Sequence, residues 1–414
     1  MMKIVTVALS FVSMTSVHMA ARALPTDPVT PPSVRVDSLV VQNGNGFGSA
    51  LALVPGRTGE FYLMTDRGPN VDGPSSNTKI FLQQDYAPRI GRFRITDRGL
   101  ELLGTIDLKN RDGKKLTGLP HPAGEGGTGE TAFDTLGRRL APDEQGIDPE
   151  GLAAMPDGTF WVSDEYGPHL LHLDARGRTL ERLSPFSGPR SLPRVLARRK
   201  PNRGMEGLTA TPGGRYLAGI MQGPLLNPDA AAVSGSRNVR LVLFDQTTGR
   251  SMEYLYVLDH AGMRVSDIAA VDEQTFLVLE RDDTFLGADA EPVKRIYKIS
   301  LNGATNLNDP ANGPSGLLFN GKTAEQLEPA QLEGLGVHPV QKVLAADIMQ
   351  AIPGYPHDKA EGLAVIDRQT IALSNDNDFG ITDGGNGSVS RKILPATGQV
   401  DRNVVYFIRL DKPL

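Results

Sequence analysis

The chain contains no cysteine. That excludes disulfides, thiolate metal sites and a lipid attached through a thiol. It has no G-x-S-x-G elbow, no H-E-x-x-H pair, no P-loop and no dinucleotide fingerprint, so a serine-elbow hydrolase, a zincin and the common nucleotide folds find no support. It also lacks a long basic run. The densest group is Arg198-Arg199-Lys200 with Arg203 close behind, too short for a nucleic-acid footprint, and no nucleic-acid partner is expected. Helical periodicity over a dozen residues is almost absent, and only Ala324 to Gln331 could form a turn or two. The formal net charge of −5 is mildly acidic, which suits an exported soluble protein and one that holds calcium. Without disulfides, stability must come from a packed core, and 414 residues can supply one.

The first residues carry Lys3, a short apolar stretch broken by Ser and Thr, and Ala21-Arg22-Ala23, which has the form of a cleavage site. This reads as a signal peptide over residues 1–23 and not as an anchor, followed by an N-terminal segment, 24–45, and one domain, 46–414. The expected destination is the periplasm or the exterior.

Beyond that point glycine (46) and proline (30) are spread throughout, and short apolar runs alternate with turn residues, as in GTFWVSDE, NVRLVLFDQTTGR and QTIALSND. This is a strand-rich pattern. The runs repeat. Glu150 to Asp164, Glu206 to Ile220 and Glu361 to Asn375 align almost position for position, each opening on Glu-Gly-Leu. Weaker copies are Ser266 to Glu280 and Ser49 to Asp66. Each copy is strand, tight turn, strand, with spacings suited to the blades of an all-β propeller, in which radial closure protects the strand edges. Five copies are visible and the span from Glu280 to Glu361 has room for another, so six blades are expected. Three insertions, Asn110 to Gly146, Gln222 to Ser236 and Gly303 to Gly316, are expected around one rim.

In such a ring, equivalent positions of different blades point to one axis. Glu150, Glu206 and Glu361 would meet there, and carboxylates so crowded repel unless a cation lies among them. Calcium suits an oxygen-rich site without cysteine. The far ends of the hairpins add Asp66, Asp164-Glu165 and Asn375-Asp376 as further oxygen donors. Arg67, Arg203 and Lys359 stand beside these acids, and His357 and His169 flank the motifs. A small anionic substrate bridging metal and cations would fit, with Glu165 helping a bound water. The plainer readings are that each Glu accepts backbone N–H bonds and closes its blade, that Arg203 and Lys359 are ion-pair partners, and that calcium is structural. Trp161 reads as core, and His121 carries no expectation.

The set Asp66-Arg67-Gly68-Pro69-Asn70, Glu150-Gly151-Leu152, Asp164-Glu165-Tyr166-Gly167, Asn202 to Leu208, His357 to Leu363 and Asn375 to Gly380 resembles the phytase-like family ("esterase-like activity of phytase") of exported bacterial proteins. The resemblance covers about Gly46 to Leu410. It implies ester or phytate hydrolysis, and it marks Asp66, Arg67, Glu150, Asp164, Glu165, Arg203, Glu206, Lys359, Glu361, Asn375 and Asp376. The family is similar in turn to calcium-dependent propeller phytases and lactonases, although the Asp-Asp-Pro-Ala segment of the former is absent here. The expected function is metal-dependent phosphoester hydrolysis, with Glu165, Arg67, Arg203, Lys359 and His357 catalytic. The metal would be held by Glu150, Glu206, Glu361, Asp66, Asp164, Asn375 and Asp376. The alternatives are a carboxylester or lactone hydrolase on the same calcium-binding scaffold, and a propeller that only binds a ligand.

Overall fold

The computed structural model describes residues 46–414 apart from 98, 189 and 386. The expected signal peptide and N-terminal segment lie outside the described residues. The chain opens with β1 (Ala50–Leu53) and β2 (Glu60–Met64), then the short strands β3 (Asn70–Asp72) and β4 (Thr78–Phe81), then β5 (Arg89–Thr96) and β6 (Gly99–Asp107). Strands β1-β2-β5-β6 form the first sheet, while β7 (Thr131–Phe133), from the first insertion, pairs parallel with β4. The second sheet runs β8 (Pro149–Ala154), β9 (Phe160–Asp164), β10 (His169–Leu173) and β11 (Thr179–Leu183). The third runs β12 (Met205–Ala210), β13 (Tyr216–Met221), β14 (Asn238–Asp245) and β15 (Arg250–Val257). The fourth runs β16 (Arg264–Ala270), β17 (Thr275–Arg281), β18 (Lys294–Ser300) and β19 (Gln341–Asp347). In the fifth, β20 (Ala360–Val365) and β21 (Thr370–Asn375) are joined by β24 (Val405–Arg409), after a small hairpin of β22 (Ile381–Asp383) and β23 (Val389–Arg391).

The arrangement is propeller-type: all-β, with antiparallel sheets of three or four strands. Their first strands touch in cyclic order, β1 with β8, β8 with β12, β12 with β16, β16 with β20 and β20 with β1. Five such sheets are present among the described residues, not six. The span between Glu280 and Glu361 holds no further repeat because β18 and β19 complete the fourth sheet. The rest of that span goes into a short helix, Pro329–Gly334, and loops. The repeats seen in the sequence are the two inner strands of each sheet. The apolar runs Leu171 to Leu173 and Leu241 to Phe244 fall in the third strands, β10 and β14.

The Glu-Gly-Leu motif has a steric cause. A Cβ on Gly151 would lie 2.5 Å from the Leu208 amide nitrogen, one on Gly207 2.7 Å from Asp267 Cα, and one on Gly362 2.7 Å from the Leu51 nitrogen. Glycine is therefore where each inner strand meets the backbone of the next sheet. The ladder slips at this same place in four sheets, between Pro149 and Leu152, Met205 and Gly207, Val265 and Asp267, and Ala360 and Leu363. A bulge re-aims a side chain out of the pleat, and here it turns the preceding glutamate toward the axis. In the fourth sheet the glutamate position holds Ser266, which accepts from Arg281 Nε at 2.8 Å, and the glycine position holds Asp267, whose carboxylate accepts the Leu363 and Ile268 amides at 2.7 and 2.8 Å.

The axis has two unlike ends. Beyond the bulges the five inner strands line an apolar hollow of about 250 Å³ that includes Leu53, Ala154, Ala210, Ala270 and Val365. The opposite end carries the charged motifs. The first insertion packs over that charged end, through Glu130 and Gly118. The third lies along the outside of the third sheet, where Leu307 joins Leu255 and Leu332 in an apolar cluster. The insertions therefore do not share one rim. No helix among the described residues is long and apolar enough to cross a membrane.

Candidate metal centre

A cavity of about 510 Å³ opens at the charged end. Its lining takes Glu150, Glu206 and Glu361 from the second residue of β8, β12 and β20. From the loops after the second strands come Asp66, Glu165 and Asp376. The rotational repetition therefore gathers the three glutamates, and six of the seven expected acidic residues line one space. Ten carboxylates face seven Lys or Arg side chains there.

Asp148, Glu150 and Glu165 each offer a carboxylate oxygen, all within 4.8 Å of one another. Gln222 donates to Glu165 Oε1 at 2.8 Å and to Glu206 Oε2 at 2.9 Å, tying the neighbouring glutamate to that trio. Burial raises the pKa of every one of these acids, and like charge adds to it. Glu150 is pushed well above the carboxylate range by burial and then by Asp148, Glu206, Glu361 and Glu165. Glu165 rises well above it through burial and then Glu206. Glu206 is pushed up to about 8 by burial and then Glu361, and Glu361 to about 7 by burial and then Asp376. Asp66 is raised by burial, then by Asp376 and Asp148. Groups so arranged await a positive charge. The donor set is all oxygen, with no imidazole or thiol in the lining, and it fits a hard divalent cation.

The expected cations are present in different roles. Arg67 is buried, with Nη1 donating to Glu130 Oε2 at 3.1 Å and Nε 3.4 Å from Asp148, so it braces a ligand of the trio against the first insertion. Lys359 pairs with Asp376 at 3.0 Å and Asp378 at 2.6 Å. Asp378 and Phe379 hold left-handed backbone, φ 47° and 57°, in the turn that presents both aspartates. Arg203 lines the cavity without an ion-pair partner among the described residues.

Three expected residues lie elsewhere. His357 does not line the cavity: its Nδ1 is 2.6 Å from Asp401 Oδ1 and its Nε2 2.8 Å from the Tyr406 hydroxyl. Both nitrogens are taken up beside the fifth sheet, one by the loop before β24 and one by β24 itself. Asn375 points the same way, accepting the Val404 amide at 2.8 Å and donating to the Arg402 carbonyl at 3.0 Å. Alternation along β21 accounts for this, since Asn375 and Asp376 leave the strand on opposite sides. Asp164 is fully buried behind the cavity. It accepts the Asp148 amide at 3.0 Å and pairs with His169 at 2.8 Å, which holds its pKa at about 2 against burial. It belongs with His121 and His169, whose rings stack at 5.5 Å, and not with the glutamates.

Sequence reading missed Asp148, Gln222, Arg264 and Arg281. Asp148 was within reach, two residues ahead of Glu150 in Asp-Pro-Glu. Arg281 lies directly after the fourth repeat, and its Nη2 donates to Glu361 Oε1 at 2.6 Å. Gln222 follows its hairpin as Glu165 and Asp376 follow theirs, its amide bonding the Gly204 carbonyl as theirs bond those of Asp148 and Lys359, and Arg264 stands two residues ahead of Ser266 as Lys359 stands ahead of Glu361; the change of residue type from copy to copy hides both.

Comparison with known proteins agrees with the motif set. A protein of the fungus Arthroderma benhamiae described as an uncharacterized secreted protein is 27% identical over 338 residues, which span 65% of each chain. Among solved structures, the PQQ-bound aldose sugar dehydrogenase of Streptomyces coelicolor aligns with 93% of this chain and 99% of its own at 12% identity and a TM-score of 0.34. A protein from Lactobacillus plantarum aligns with 87% of this chain and 88% of its own, again at 12% identity and a TM-score of 0.34. Likeness at that level bears on neither fold nor activity. The phytase-like model, described as esterase-like activity of phytase, matches residues 43–379, and with most of its length so matched the chain belongs to that family.

Proposed function

We propose that the protein is a calcium-dependent hydrolase of carboxylic esters or lactones, exported from the cell, working at the charged end of a single propeller domain over residues 46–414. The observation that carries this reading is Glu150, whose carboxylate has only acids as its strongest electrostatic neighbours. Carboxylates are left in that state where a cation completes them. Asp148, Glu150 and Glu165 would hold it. When bound, such an ion polarises a carbonyl and acidifies water. Glu206, held by Gln222 at the edge of the trio, would accept the proton of an attacking water. The water oxygen bonds to the acyl carbon, the ester C–O bond breaks, and the proton passes to the leaving alkoxide. Arg281, through Glu361, and Arg67, through Asp148, fix the acidic groups in place.

The family's description supports ester hydrolysis. Export is supported by the first residues of the sequence and by the description of the fungal relative as secreted. Phosphoester hydrolysis is the second reading, favoured by the density of Lys and Arg around the same space.

The test is a panel of aryl esters, lactones and phosphomonoesters assayed with calcium and with chelator. Acyl-ester or lactone turnover that vanishes with chelator and returns with calcium supports the first reading. Phosphate release with the same dependence replaces it with the second. No turnover of any class by folded, calcium-loaded protein leaves a binding propeller.

A further inference from the structure

One wall of the cavity is basic and poorly neutralised. It begins at the turn Lys200-Pro201-Asn202-Arg203, closed by the Arg203 amide donating to the Lys200 carbonyl at 3.0 Å. Pro201 fixes the second position, and Asn202 takes the left-handed third position at φ 52°. Such a turn sets its first and fourth residues side by side. Arg264, from the start of β16, is the third member, and all three line the space that holds Glu165 and Glu206.

These cations repel. The pKa of Lys200 is lowered chiefly by Arg203, and that of Arg203 by burial and then Arg264. Lys200 and Arg203 have no ion-pair partner within reach among the described residues. Arg264 has one, Asp283 at 2.6 Å, which it shares with Arg281. Arg264 Nε is buried without a hydrogen-bond partner among the described residues. Lys359, on the same cavity, is by contrast satisfied by two aspartates. If this wall only balanced the acidic floor, its side chains would reach those acids, as Lys359 and Arg281 do.

We propose that Lys200, Arg203 and Arg264 form a subsite for an anionic group on the substrate, a carboxylate or a phosphate, apart from the residues that would hold the cation. The inference rests on the hydrolase reading and narrows it: the ester or lactone carries a free acid group, bound here while its acyl carbon lies over the acidic floor. Two guanidinium forks suit a planar or tetrahedral oxyanion, and a nearby ammonium adds charge.

Two measurements test it. The first is kcat/KM of calcium-loaded protein for para-nitrophenyl butyrate and for mono-para-nitrophenyl glutarate, which differ by one free carboxylate. Wild type is expected to prefer the glutarate by about tenfold or more, through KM. Arg203→Met should cut that ratio by about tenfold, and Arg203→Lys should restore part of it. The second is calorimetric titration of chelator-treated protein with inorganic phosphate and with glutarate. Saturable binding that weakens about tenfold in Arg203→Met supports the subsite even if neither ester is hydrolysed, and the tighter anion names the group. Failure of the hydrolase reading is thereby separable from failure of the subsite. Absence of saturable binding of either anion to wild type, or equal binding by wild type and Arg203→Met, overturns the proposal.

Discussion

Replacing Glu206 with Gln should stabilise the metal-free protein and reduce the stabilisation that calcium brings. The carboxyl is 3% exposed and is pushed from 4.5 to about 8 in the folded chain. A raised carboxyl pKa means that the native state binds more protons than the unfolded state between those values. Stability is therefore fullest below pH 4.5 and is lost as pH rises through 8. Each pH unit across that window is worth about 1.4 kcal/mol, so the stability lost by pH 8 is at most about 4 kcal/mol, and less as the surroundings relax. A Gln at this position keeps an acceptor for Gln222 and cannot ionise. For a chain of this length the unfolding entropy is roughly 0.8 kcal/mol per degree, so the variant should melt up to about 5 °C above wild type in chelator at pH 8. The two should melt together at pH 5. Calcium should raise wild type more than the variant and shrink or reverse the gap at pH 8. Differential scanning calorimetry at both pH values reads all four conditions. If the variant melts below wild type in chelator at pH 8, the carboxylate is already neutralised by the protein, and the case for a cation falls with it.

Chelator alone should lower the wild-type melting temperature by about 3 °C relative to calcium at a hundredfold excess over its dissociation constant, since saturation at that level is worth about 2.7 kcal/mol. An unchanged transition would refute cation binding. Gly207→Ala should destabilise by about 1–3 kcal/mol, because its methyl meets the Asp267 backbone at 2.7 Å; chemical denaturation checks this, and a neutral result would mean the inner strands can part. His357→Gln should lower stability by about 1–3 kcal/mol, because Asp401 and Tyr406 lose a buried hydrogen-bond partner, while folded protein keeps its kcat; lost turnover with an unchanged melt would point to a catalytic role. Arg67→Met should free the first insertion from its Glu130 tie, seen as faster proteolytic cleavage within residues 110–146.

Repetition made the inner strands legible. The short run Phe160 to Asp164 and the glycine turn before it recur in Tyr216 to Ile220 after Gly214, so both the strand pair and the convergence of three glutamates could be read from spacing. The sheet number could not. The sequence Gln341 to Asp347 lies beyond a long polar loop and a helix, and only tertiary pairing with β18 assigns it to the fourth sheet. Residues next to a motif proved the least safe reading. His357 and Asn375 sit one or two positions from cavity residues, yet strand alternation and the buried Asp401 turn them inward. Asp148, Gln222 and Arg264 reach the site from places that repeat in the fold, but the residue type there changes from copy to copy, so the shared Glu-Gly-Leu spacing does not single them out.

The seam between first and last sheets gives the cavity a mechanical meaning. No shared ladder crosses it among the described residues. Ser374 reaches the Gly48 carbonyl at 3.0 Å, and Gly362 lies against Leu51. Asp66 hangs on one side of this join, and Glu361 and Asp376 on the other. A cation on Asp148, Glu150 and Glu165 would sit in the field of acids from both sides of this join, so the charge held in the pocket would bear on how firmly the first and last sheets stay together.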